Sequence, residues 1–236
     1  GAWTISKPYL WLQAVELAAD AQAMIDHATG GRYYISTDGW RNYNTVLSGT
    51  SGDNTLIPAR FSSVKSLMHI YRPLANKNSI TKRWVSARLN PFGTLATDGA
   101  TATTITPSLQ YAVGSALVPN QPITSSAELF QEYQKMWHNL NVLNMRCSFD
   151  YISWNNQKVN ANDGSTNGNA VFGIDLDSIQ NRSEVMNSGV NTLGVNVFIN
   201  AMSYSLAQTS GANRLDCWAH FDAVLAIEDG VVSIKF

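Results

Sequence analysis

A period of two recurs along most of this chain, and it decides what the chain can fold into. Side chains alternate across a strand, so an apolar/polar alternation marks a strand with one buried face. The run 60-RFSSVKSLMHIYRP-73 carries Phe61, Val64, Leu67, Met68, Ile70 and Tyr71 and ends at Pro73. Similar runs are 83-RWVSARLNP-91, 107-PSLQYAVGSALVP-119, 145-MRCSFDYISW-154, 169-NAVFGIDLDS-178 and 193-LGVNVFINAMSYSL-206. The final stretch, 217-CWAHFDAVLAIEDGVVSIKF-236, reads as strand, Asp229-Gly230 turn and strand, with Phe236 expected in the core. Loops rich in Gly, Asn, Ser and Thr are expected at 48–55, 97–104, 160–169 and 208–213.

Two segments carry a helical period instead. Ser125 and Glu128 form a capping box ahead of Leu129, Tyr133, Met136, Trp137 and Leu140, which predicts a helix over about 125–139. Ala21, Met24, Ile25 and Ala28 predict a second over about 18–28, stopped by Gly30-Gly31. No period of 20–50 residues repeats, which argues against a solenoid or propeller. Strands and helices do not alternate regularly, which argues against a doubly wound α/β fold. The expected fold is all-β: two packed antiparallel sheets of Greek-key type with two short helices.

Composition narrows the function. Charged residues are 14% of the chain, against the roughly 25% usual for soluble domains. Asn, Ser and Thr together number 62, so the polar surface is built from amides and hydroxyls. The net charge of −1, with no basic run, argues against direct nucleic-acid binding. Cys147 and Cys217 are too few for a disulfide framework and read as buried free thiols. No stretch reaches the roughly 18 apolar residues of a membrane span. The start, Gly1-Ala2-Trp3, lacks Met and reads as that of a fragment or processed chain.

The search for chemistry yields little. His27, His69, His138 and His220 stand at no metal-ligand spacing, and His69 and His220 read as structural residues within strands. No serine has a nucleophile-elbow setting. Asp175 and Asp177 share a strand face, which fits a solvated face better than a glycosidase pair or a Ca²⁺ site. The loop 160-NANDGSTNGN-169 matches a Ca²⁺ loop only in composition. Asn181-Arg182-Ser183 is a glycosylation sequon. Trp3, Trp11, Trp84, Trp137, Trp154 and Trp218 lie in apolar runs. Trp40, in 37-TDGWRNYN-44, does not, and with Arg41 and Tyr43 beside a glycine turn it is the candidate subunit contact. No catalytic residue, cofactor or metal is expected.

The order of the pieces carries a resemblance. The run 8-PYLWLQAVEL-17, a short helix, 33-YYISTDGWRNYNTVL-47 and the strand 60–73 resemble the junction between the two rolls of a double jelly-roll major capsid protein. Such proteins are those of virophages, Polinton-like and adintovirus-like elements, and adenovirus-like and large DNA viruses. The segment 109-LQYAVGSALVPNQPITSSAELFQEYQKMWHNL-140 resembles the middle of the second roll, and 218–236 its closing hairpin. The resemblance implies a jelly-roll β-sandwich over 48–236, preceded by a strand, connector helix and extended segment over 1–47. It implies a virion protein without enzymatic activity, assembled inside the host cell. Its partners would be copies of itself, in trimeric capsomers of an icosahedral shell, and minor capsid proteins. A first roll would have to precede Gly1, or the chain is a single roll with an N-terminal extension. Two other readings stay open: a carbohydrate-binding or adhesin-type β-sandwich, and a jelly-roll enzyme using Asp175 or Asp177.

Overall fold

The computed structural model describes residue 9 and residues 16–47, 52–73, 108–137, 151–154, 157–159, 166–168, 171–177, 188–202, 213–228 and 231–236. The expected strand 83–91, the loop 97–104, the Asp229-Gly230 turn, most of the run 8–17, and Trp3, Trp11, Trp84, His138, Leu140, Cys147 and Asn181 lie outside these residues. By internal contact the chain divides into two compact units. One is Gly1–Ile35 with Leu225–Lys235, the other Ser36–Val224 with Phe236.

The elements run α1 (Ala19–Thr29), β1 (Arg32–Leu47), β2 (Gly52–Ile57), β3 (Val64–Pro73), β4 (Ser108–Val113), β5 (Ala116–Ile123), α2 (Ser126–Met136), α3 (Tyr151–Trp154), β6 (Gln157–Val159), β7 (Thr166–Gly168), β8 (Phe172–Asp175), β9 (Val197–Met202), β10 (Asn213–Glu228) and β11 (Val231–Lys235). One sheet has the order β1-β10-β3-β8, with β11 also paired to β10. A second has the order β2-β9-β4-β5, and β6 and β7 form a separate pair. The β10–β3, β3–β8, β2–β9, β4–β9 and β4–β5 pairs are all antiparallel.

The core of the larger unit follows directly from alternation. Leu67, His69 and Tyr71 of β3, Leu215, Cys217 and Ala219 of β10, Leu109, Tyr111 and Val113 of β4, and Val197, Ile199 and Ala201 of β9 are all buried. Every one is separated by two from the next, as a single inward face requires. Each large apolar side chain so buried contributes about 1.5–3 kcal/mol. The Tyr111 hydroxyl lies 3.2 Å from His69 Nδ1, a buried polar contact that joins the two sheets.

The β10–β3 register shifts between His220 and Phe221, where Lys65 is the extra residue on β3. The bulge aims Lys65 at Asp222, and their charges meet at 2.7 Å with both side chains almost wholly buried. Ser63 donates its hydroxyl to the same carboxylate at 2.6 Å, so the pair is both neutralised and hydrogen-bonded.

Several expectations are corrected. The run 107–119 is a hairpin, not one strand. Gly114, at φ 61°, turns it and packs its Cα against Val195, where a Cβ would meet the isopropyl group at 3.2 Å. Among the described residues β5 is an edge strand, where Pro119 and Pro122 are tolerated. Residues 151–154 form a helical turn where a strand over 145–154 is expected, so the fold has that turn besides the two helices. Residues 52–55 and 166–168, expected in loops, belong to strands β2 and β7. Phe236 is 48% exposed. It touches Phe61 and Phe221 edge-on, at centroid distances of 5.5 and 6.0 Å, and so caps the core rather than entering it.

Candidate subunit-contact site

Trp40, Arg41 and Tyr43 lie inside β1, not beside a turn. The glycine that suggested a turn, Gly39, is a strand residue whose missing side chain admits the Phe221 ring. A Cβ there would sit 2.9 Å from Phe221 Cζ. Phe221 in turn stacks on Phe61 at 3.8 Å.

Alternation divides the three candidates. Arg41 and Tyr43 share one face of β1, and the Arg41 guanidinium lies 5.8 Å from the Tyr43 ring centroid. Tyr43 is partly buried against the core, and that burial raises its hydroxyl pKa. Trp40 points to the other face with Asp38. Its indole stacks on the His220 imidazole, with centroids 4.5 Å apart and planes within 7°. It also meets Trp137, just past α2, at 6.2 Å. Trp40 is 42% exposed even so. His220 Nε2 lies 2.6 Å from Asp38 Oδ2, and this contact holds the Asp38 carboxyl below its usual range.

Sequence reasoning found Trp40 but missed Asp38, His220 and Trp137 as its neighbours. Parity within 37-TDGWRNYN-44 places Asp38 with Trp40. His220, 180 positions away on β10, is reachable only through the β1–β10 pairing.

Asp175 and Asp177 do not form a solvated strand face: β8 ends at Asp175, and carboxylate oxygens of both residues are buried. Asp175 accepts from the Asp177 backbone N–H at 3.0 Å, a turn that ends β8. Among the described residues no group of three or more His, Cys, Asp or Glu side chains is placed to hold a metal ion. Cys217 is a buried free thiol whose pKa is pushed up to about 12 by burial, which disfavours the nucleophilic thiolate. Among the described residues no helix is long and apolar enough to cross a membrane.

Comparison with known proteins places this architecture. No family model matches the chain, and no curated protein matches it by sequence. Among solved structures, PBCV-1 VP54 fitted into a reconstruction of the virophage Sputnik is similar over 93% of this chain and 55% of its own. The TM-score is 0.52 and the identity 8%. The fold is a jelly roll. A cryo-EM structure of the Sputnik virophage is similar over 87% of this jelly roll and 39% of that chain, at TM-score 0.47 and 13% identity. The mavirus major capsid protein is similar over 87% and 42%, at TM-score 0.40 and 11% identity. The jelly roll thus spans about two fifths to just over half the length of these structures. The resemblance to double jelly-roll major capsid proteins is borne out at the level of fold.

Proposed function

We propose that this chain is a structural capsid subunit, a jelly roll that assembles with copies of itself into trimeric capsomers of an icosahedral shell. The observation that carries the reading is the likeness to PBCV-1 VP54 over 93% of the chain. The low charge agrees with it, since broad surfaces that pack against identical copies are depleted of charge at their centres. In this reading the chain is a virion component without catalytic activity, assembled inside the host cell and touching minor capsid proteins. Residues 1–47 act as the strand and connector leading into the roll, and 48–236 as the roll itself.

Arg41, Tyr43 and the exposed edge of Trp40 form part of the subunit contact. Their position supports this role: among the described residues β1 ends its sheet, and most of its residues are exposed. Electron microscopy of the purified chain tests the reading. Class averages with three-fold outlines are expected. Particles of single-chain size at every concentration would contradict it, and Arg41→Glu with Tyr43→Ala should shift trimers toward that size.

A further inference from the structure

The face of β1 that carries Asp38 and Trp40 meets His220 of β10. His220 gives its ring face to Trp40 at 4.5 Å and its Nε2 to Asp38 at 2.6 Å. Its side chain is 15% exposed, against 59% for that of Asp38, so the imidazole is sandwiched while the carboxylate reaches solvent. We propose that Asp38, His220 and Trp40 form a clasp that acid tightens, holding edge strand β1 on β10.

Both contacts of His220 change character on protonation. With the ring neutral, Nε2 and the carboxylate share an ordinary hydrogen bond, and the two aromatic rings simply stack. With the ring charged, the first becomes an ion pair with a charge-assisted hydrogen bond. The second becomes a cation lying parallel to an indole face, the best aromatic partner for a cation. One proton therefore strengthens two contacts that bridge the same pair of strands.

The surrounding charges leave Asp38 as the group that answers this proton. On β3, Lys65 also acts on Asp38, but its charge is matched by Asp222 of β10 at 2.7 Å. Ser66, which stands opposite His220 on β3, is uncharged, and so is Trp137 behind Trp40. The His220 contact holds the Asp38 carboxyl low, so its charge persists as the pH falls. The clasp matters for β1 because, among the described residues, this strand ends its sheet and pairs with β10 alone.

Thermal melts of the wild-type chain, His220→Gln and Asp38→Asn across pH test the clasp. The protein's general response to acid is common to all three, so the informative quantity is the gap in Tm between wild type and each variant. Both gaps should widen as the pH is lowered, by about 2–4 °C. Asp38 is mostly solvent-exposed, so Asp38→Asn keeps the fold even if His220→Gln does not. The local reading is indole emission. Wild-type fluorescence should fall with acid, and Trp40→Phe and His220→Gln should each remove that fall. Gaps that stay constant with pH, or a fall in emission that survives in both variants, would overturn the proposal.

Discussion

The described residues include two helices of eleven residues, and they are held in place by different means. In α2, Ser125 accepts from the Glu128 N–H, and the Glu128 carboxylate accepts from the Thr124 N–H at 3.2 Å. Leu129, Phe130, Tyr133 and Met136 are then buried. The strand beneath makes room: Gly173 of β8 leaves the space in which Met136 Sδ sits, 2.6 Å from where a Cβ would be. In α1, Ala18 offers no side-chain cap and no residue is buried. That helix ends on Gly30, left-handed at φ 61°, and holds local contacts such as Gln22 to Asp26 at 3.0 Å. Met24, on its apolar stripe, is 73% exposed. An isolated helix of this length is marginal in water. A stripe thus states that a helix has an apolar side, while burial depends on what is built opposite.

This contrast can be tested by substitution. Leu129→Ala should cost about 2–5 kcal/mol in urea unfolding, because the side chain has no exposed surface and leaves a cavity. The next effect extends the comparison to the sheet beneath α2. Burial lowers the His69 pKa from 6.5 to about 3. The unfolded chain therefore takes up this proton below pH 6.5, while the folded chain does so only near 3. Its contribution is fully present above 6.5 and is lost as the pH falls toward 3, by up to about 1.4 kcal/mol per pH unit. His69→Phe should flatten that slope in denaturant titrations run across the window. Ser125→Ala should cost about 1 kcal/mol by removing the cap, measured in the same urea series. Met24→Ala should change stability by less than about 0.5 kcal/mol. A loss above about 2 kcal/mol at Met24 would break the comparison, because it would mean the α1 face is covered in solution.

The two helices also mark how far the sequence could be read. The cap, the stripe and the strand alternation are local, so α2, the inward residues of β3, β9 and β10, and the two-sheet class were legible. The β4–β5 hairpin was not, because Pro119 and Pro122 argue against a strand unless it is known to lie at an edge. The turn at 151–154 was misread because a short run such as Tyr151-Ile152-Ser153-Trp154 fits either period. At the candidate site, Trp40 was visible as an aromatic among polar residues. Its partner was hidden because His220 reaches it through strand pairing and not through spacing. Gly39 was misassigned for a related reason: a glycine that admits a ring from the next strand looks locally like a turn.

The central claim is that this jelly roll is an assembling capsid subunit, and the most direct measurement is its mass in solution by light scattering after gel filtration. The account expects a stable species at three times 25.8 kDa. A single-chain mass that persists as concentration rises would contradict it.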